Sequence, residues 1–509
     1  MIDIIGSCKT NTITFASVKK IVIIGSGFSG LSAASFMAKA GWDVTVLEKH
    51  EMPGGRARKL VADGFTFDMG PSWYWMPEVF ERYFNCFGKK TSDYYELIRL
   101  DPSYRVYWQD GFTNIPASYN ELRDAFEQIE KGSAAKLDAF LDEAAYKYEV
   151  GIHKLVHKPG LSFKEFLSWE LAKGVFKLDV FTSMKKHISR FFKNSKLQQL
   201  MEFPVLFLGA LPQDTPALYS LMNYADIKLG TWYPRKGMYE VVDGMYRLAK
   251  ELGVKFVFGS NVTAINTSGN RTTGVVVNGA ETYAADAVIA SADYHHVETS
   301  LLPASLRSYT TDYWNKRVMA PSCLLYYIGL NRKLEGLTHH CLFFDADFEV
   351  HGREIYTTRK WPVDPLFYVS VSSITDPTVA PEGCENLVLL VPVASGLEAD
   401  TETLRDKYLD MILTRFEQKT GQQVKDSIIY KKSYSVSNFA EDYNSFRGNA
   451  YGLANTLMQT AIFRPSCRSI KIKNLFYTGQ LTVPGPGVPP SLISGEVVAG
   501  EVLKDFAVL

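Results

Sequence analysis

Three glycines near the start of the chain, Gly25, Gly27 and Gly30, stand in the spacing G-x-G-x-x-G, with Phe28 and Ser29 between the second and third. That spacing suits recognition of a dinucleotide through its pyrophosphate. Gly25 permits a tight turn, Gly27 removes the side chain where phosphate approaches the backbone, and Gly30 lets a helix pack closely on a strand. Glu48 follows at roughly the 20-residue separation expected of an acid that accepts hydrogen bonds from a ribose. Lys49 comes next, and Gly55-Arg56 lies shortly beyond. Gly55 lets the backbone approach a ligand, and Arg56 can give charge-assisted hydrogen bonds to phosphate.

These residues need elements to aim them. Residues 21–24 are apolar throughout, as in a strand buried on both faces of a parallel sheet. After the glycines, Leu31, Ala34, Met37 and Ala38 mark one face of a helix that stops at Gly41. Its N-terminus offers free N–H groups and partial positive charge to phosphates. A second strand, residues 44–47, ends at Glu48. At the far end, a strand ending in Gly479 leads to Pro484-Gly485-Pro486-Gly487-Val488-Pro489-Pro490, and a small apolar helix follows. Prolines suit that helix start, and the helix is expected to pack on the first one. Between these ends, a short strand precedes Asp68-Met69-Gly70-Pro71-Ser72, residues 100–230 read as mainly helical, and residues 257–293 read as strands with an Asn278-Gly279 hairpin turn. Residues 300–435 alternate strands and helices without a chemical motif.

Composition narrows the classes. The 509 residues are 46% apolar, which excludes intrinsic disorder. Lys+Arg and Asp+Glu both number 55, so the chain lacks the basic excess of a general nucleic-acid binder. Six cysteines stand singly, without a C-x-x-C pair, and neither His295-His296 nor His339-His340 has ligand spacing; no metal site is expected. Scattered cysteines fit a reduced cytoplasmic setting. No leader peptide or membrane span is expected.

Between Lys154 and Lys196 stand ten Lys or Arg against three acids, a net +7, interleaved with Phe163, Phe166, Trp169, Phe176, Phe181, Phe191 and Phe192. This mixture suits a helix lying in a membrane interface, peripheral to the inner face of the cell membrane. A core helix with a solvated basic face has the same pattern. Residues 203–211 are expected as an exposed loop or an entrance.

In these motifs the chain resembles the flavoprotein superfamily that holds amine oxidases, carotenoid desaturases and Rab GDP-dissociation inhibitors. The Gly55-Arg56 pair after Glu48 carries that likeness, and so do Gly70-Pro71-Ser72, Val262 and the closing loop. The segment 479–490 resembles the signature of the bacterial phytoene desaturase branch, departing from its commoner form at Gln480, Leu481 and Pro490. Lys236 stands where that superfamily often has Gly. The resemblance implies an α/β fold: a Rossmann-type FAD-binding domain from segments 18–100, 232–298 and 440–509, and a mixed α+β substrate and membrane-facing domain from 101–231 and 299–439. It implies FAD held by Gly25, Gly27, Phe28, Ser29, Gly30, Glu48, Lys49, Gly55, Arg56, Gly70, Pro71, Ser72, Val262, Gly479, Gly487 and Val488. It implies stepwise desaturation of phytoene toward lycopene by hydride transfer, with oxygen or a membrane quinone as final acceptor. No catalytic acid or base is nominated. The alternatives are a later-step desaturase, ketolase or isomerase acting on carotenoids, a flavin amine oxidase, and a lipid-binding protein of the dissociation-inhibitor kind.

Overall fold

The computed structural model describes residues 18–166 and 178–507. The opening strand, Lys20–Ile24, lies at the centre of a five-stranded parallel sheet. On one side it pairs with Asp43–Leu47, which pairs with Lys255–Val257; on the other it pairs with Ala287–Ala290, which pairs with Leu475–Tyr477. Val22 sits between Thr45 and Val288 in register. Ile21, Val22, Ile23 and Ile24 are all buried, because helices or a second layer cover both faces. Burial of each such side chain contributes about 1.5–3 kcal/mol.

The first helix, Phe28–Lys39, covers this sheet, and the closing helix, Val488–Ala507, lies against it. Their approach is close: a Cβ at Gly495 would stand 2.3 Å from the Ser29 carbonyl oxygen. A three-stranded antiparallel sheet, Val262–Ser268, Arg271–Val277 and Glu281–Ala284, carries the expected Asn278-Gly279 turn, with φ of 50° and 75°.

A seven-stranded sheet supports the rest. Its order is Ile428–Tyr434, Ser322–Leu330, Glu385–Val393, Phe367–Ser370, His340–Phe343, Tyr104–Trp108 and Gly111–Ile115. Every pair is antiparallel except His340–Phe343 with Tyr104–Trp108. Helices Tyr119–Ile129, Ser133–Val150, Met184–Phe191 and Ser195–Leu208 gather beside it. Among the described residues no helix is long and apolar enough to cross a membrane.

Two expectations change here. Residues 203–208 are not an exposed loop but the last turns of the helix Ser195–Leu208. Phe203 is buried because its ring packs against Trp73, Trp75, Tyr104 and Phe344. In the basic–aromatic stretch, Met184–Phe191 is an amphipathic helix on the core: Met184 and Ile188 are fully buried, as is Phe192 just beyond it, while Lys185 pairs with Glu349, and Lys196, on the next helix, pairs with Asp110. Trp169 and Phe176 lie outside the described residues, as do Lys173 and Lys177.

Candidate flavin cleft and the cavity beyond it

The turn after the opening strand is shaped by two glycines. Gly25 has φ of 95°, and its N–H donates to the Leu47 carbonyl. A Cβ on Gly30 would stand 2.1 Å from the Gly25 carbonyl oxygen, so only glycine lets the helix begin there. At the end of the neighbouring strand, Glu48 is buried. Its Oε2 accepts from Ser26 N at 2.8 Å and Ser26 Oγ at 2.6 Å, and Oε1 accepts from His50 N at 3.0 Å. The carboxylate thus draws the glycine turn against the second strand.

These groups border a cavity of about 260 Å³. Of the residues expected to hold a cofactor, Gly25, Gly27, Phe28, Ser29, Glu48, Lys49, Gly55, Arg56, Gly70, Pro71, Val262, Gly479, Gly487 and Val488 line it. Gly30 does not; it lies one turn deeper, packed on Gly25. Ser72 faces a second cavity instead. The two ends of the chain therefore meet: a Cβ at Gly479 would lie 3.3 Å from Ser29 Oγ. The N-termini of the first and closing helices both border the cleft, bringing partial positive charge to it.

Arg56 shows what the cleft is built to take. Its Nη2 donates to Ser445 Oγ at 3.1 Å and to the Asn449 carbonyl at 3.3 Å, while the buried Nε has no acceptor. Burial pulls the guanidinium below its usual pKa, opposed chiefly by Asp293. A Cβ at Gly27 would meet nothing within 4 Å, leaving open space beside the backbone. A buried, orphaned N–H on the half-buried Arg56, a bare glycine turn and two helix N-termini fit the pyrophosphate of FAD, and Glu48 fits its ribose hydroxyls.

Sequence reading missed one wall. Phe439, Asp442, Tyr443, Asn444, Ala450 and Tyr451 also border the cleft. Asp442 pairs with Arg58 at 2.7 Å, and the Tyr443 ring lies under both Arg56 and Arg58, 5.2 Å from each. Lys49 reaches the same segment, donating to the Glu441 carbonyl at 2.8 Å. No local spacing announces such partners, which lie nearly 400 residues away. Lys236 adopts φ of 74°, the left-handed conformation glycine would take more cheaply, and its N–H donates to Asp376.

Gly70, Pro71, Leu390, Tyr451, Gly487 and Val488 line both the cleft and the second cavity, so the two spaces share a wall. The second measures about 840 Å³ and is bounded mainly by apolar and aromatic groups, among them Trp73, Trp75, Phe203, Leu342 and Met222. No Asp or Glu is among its described lining residues. Behind the wall, Trp75 Nε1 donates to Thr231 Oγ1 at 2.8 Å, and Tyr104 and Thr231 donate to buried Asp226 at 2.8 and 3.2 Å. The trio Glu143, Asp179 and His187 has metal-like geometry, but the ammonium of Lys147 already sits 2.9 Å from Asp179 and 3.4 Å from His187.

Asp226 has a testable signature. Burial pushes its carboxyl up to about 7, against the hydrogen bonds from Tyr104 and Thr231 and the charge of Arg99. In the unfolded chain it titrates near about 3.9. The folded state binds this proton more tightly, so the stability it brings is full below about pH 4 and is lost as pH rises through about 7. Asp226→Asn keeps the shape and is expected to flatten that slope in the melting temperature. Equal slopes in variant and parent would contradict the assignment.

The whole chain can be set beside known proteins. Residues 28–503 match the family described as flavin containing amine oxidoreductase. A carotenoid 3,4-desaturase of Haloarcula japonica is 41% identical over 493 residues, 96% of this chain and 99% of that protein. A zeta-carotene-forming phytoene desaturase of Myxococcus xanthus is 34% identical over 488 residues, 95% of this chain and 94% of that one. Among solved structures, a putrescine oxidase variant superposes with a TM-score of 0.65 at 13% identity, covering 96% of this chain and 99% of that one. A Rab GDP-dissociation inhibitor of Plasmodium falciparum gives 0.54 at 11%, covering 96% and 98%. At such identities these two likenesses speak for the fold alone. With the cleft that fits FAD, the match along nearly its whole length makes this chain a member of the flavin containing amine oxidoreductase family, and FAD is its cofactor.

Proposed function

We propose that the protein is a carotenoid desaturase that dehydrogenates phytoene stepwise toward lycopene. The carrying observation is the 840 Å³ apolar cavity that shares a wall with the flavin cleft. A polyene hydrocarbon offers no polar handle, so it must be held by shape and by dry aromatic walls. Trp73, Trp75, Phe203 and Tyr368 supply such walls next to Gly70 and Pro71. An amine substrate would bring a cation into a lining without a carboxylate, which disfavours the amine oxidase reading. The presence of Arg56, Glu48 and the glycine turn together on the lining of one cleft disfavours a binding protein that has dispensed with flavin.

FAD, when bound, supplies a two-electron acceptor for hydride. The chain's own part is to align one saturated bond with that acceptor and to exclude water while the neighbouring proton leaves. A reading as a 3,4-desaturase of a more unsaturated carotenoid is favoured by the 41% relative. Expression in bacteria that accumulate phytoene, and separately in bacteria that accumulate lycopene, tests both. Coloured products in the first host support phytoene desaturation. Change only in the second favours the 3,4 reading, and unchanged pigments in both, with flavoprotein present, overturn the function.

We also infer that the cavity mouth rests on the inner face of the cell membrane. Phe181, Leu457, Met458 and Phe463 line the mouth and are 82%, 40%, 64% and 40% exposed. Lys158 stands among them. Such a rim can enter the headgroup region while the cation holds anionic lipid. The pair Phe181→Glu and Met458→Glu is expected to cut co-sedimentation with anionic vesicles at least tenfold without loss of flavin. Undiminished sedimentation would place the docking face elsewhere.

A further inference from the structure

Trp73 stands where the flavin cleft and the apolar cavity meet. Gly70 and Pro71 line both spaces, and the next two residues, Ser72 and Trp73, line the cavity. From Pro71 to Trp73 the chain spans at most about 7 Å. The indole is half-buried. His340 stacks on one face, with ring centroids 4.2 Å apart and planes 7° from parallel. Trp75 and Tyr104 cross it at 67° and 61°, both with centroids at 5.3 Å, and Tyr368 and Phe203 lie 5.7 and 6.2 Å away. Five neighbouring rings thus fix the indole before any ligand arrives.

The group behind the ring carries no charge. His340 is fully buried, and burial, with His339 beside it, holds its imidazole well below the usual histidine pKa. A cation there would draw on the indole's electrons from the rear; a neutral ring leaves them to the cavity side. The Tyr368 hydroxyl donates to Ser72 Oγ at 3.0 Å and lies 2.6 Å from His340 Nδ1, which sets the imidazole in turn. Among the described lining residues, Lys158 at the mouth is the cavity's one charged group. Positive charge arising deeper in this space meets no carboxylate, so aromatic faces are what remains to stabilise it, and Trp has the strongest such face. An ammonium must shed its water shell to come here, whereas the charge left on a hydrocarbon by loss of hydride arises already dry.

We propose that Trp73 is a catalytic residue whose indole face stabilises the positive charge that develops on the polyene as hydride leaves it. This rests on the desaturase reading for the origin of the charge. One C–H bond breaks, and its electron pair goes with the hydrogen to the cofactor. The carbon left behind shares its charge with the conjugated chain. The neighbouring C–H bond then breaks, its pair becomes the second bond, and its proton leaves to solvent by way of the Ser72 hydroxyl. The indole acts on the state between these two events. Because the charge exists only there, the ring speeds turnover without tightening the hold on the neutral hydrocarbon.

Two ligands of one shape test this without turnover: a dialkyl dimethylammonium, whose charge lies in mid-chain, and the hydrocarbon with carbon in place of nitrogen. Each is added in neutral detergent micelles to the flavoprotein, and the perturbation of flavin absorbance gives its affinity. The ratio of affinities, cation over hydrocarbon, is expected to fall at least tenfold from the parent to Trp73→Leu. It should fall also when Trp73 is replaced by a ring-fluorinated tryptophan, which keeps the shape and withdraws electrons from the face, while the hydrocarbon's affinity stays within about threefold. A ratio that survives fluorination, equal losses for both ligands, or no binding of either to the parent overturns the assignment. If Trp73→Leu fails to hold flavin, Trp73→Phe and the fluorinated protein carry the comparison. Absence of desaturation in both bacterial hosts would sink the substrate reading while leaving this measurement intact.

Discussion

Gly30→Ala is expected to abolish flavin retention. The added methyl would stand 2.1 Å from the Gly25 carbonyl oxygen and 3.0 Å from Ser291 Oγ. The first obstacle is backbone and cannot rotate away. Either the helix Phe28–Lys39 slides off the sheet or the turn at Gly25 opens. Both displace the N–H groups and helix N-terminus that must meet the pyrophosphate, and misplaced donors lose most of their value. Loss of two or three such bonds costs about 3 kcal/mol or more, a fall in FAD affinity of at least 100-fold. Flavin absorbance per chain after gel filtration, with fluorescence titration of added FAD, reads this directly. Gly500→Ala is the matched comparison. Gly500 lies in the closing helix, with nothing within 4 Å of its missing Cβ, and alanine there should be neutral or slightly stabilising. Retained flavin in Gly30→Ala would mean that the turn does not hold the cofactor.

The same geometry explains what could be read in advance. The glycine turn, Glu48 and the closing Pro/Gly loop were legible because each is a local device: a positive φ, a close approach, a strand ending in an acid. Parallel strands also announce themselves, since residues 21–24 are apolar on both faces. The wall at 439–451 was not legible. Tyr443 and Asp442 act on Arg56 and Arg58 across the fold, and ordinary aromatic and acidic residues carry no spacing that reveals it. Residues 203–211 misled in one respect. An apolar run containing Pro204 and Gly209 looks like an exposed loop, yet Phe203 finds four aromatic neighbours that make the helix worth completing, and Phe203, Pro204, Val205 and Gly209 line the apolar cavity. The seven-stranded sheet escaped detail because its central strands, such as Ser322–Leu330, are buried along their full length and show no alternation.

Met222→Trp is expected to reduce dehydrogenation of a forty-carbon chain at least tenfold while flavin content stays within twofold of the parent. Met222 lines the apolar cavity and sits on the short helix Leu221–Tyr224. Its side chain already reaches toward open space, so the indole can grow into the cavity instead of into packed core, where overfilling would cost about 1–3 kcal/mol. Substrate must then give up the volume the ring takes. A rigid polyene cannot fold back to save length, so the loss falls on positioning its reacting bond, and misplacement of that kind suppresses turnover more than binding. A thirty-carbon analogue needs less of the 840 Å³ and should lose less. Met222 is not among the residues bordering the flavin cleft, so the yellow spectrum should persist, and melting temperature should move by no more than a few degrees. If both chain lengths were processed as by the parent, the hydrocarbon would have to reach the cofactor by some other route, and the cavity would lose its claim to be the substrate channel.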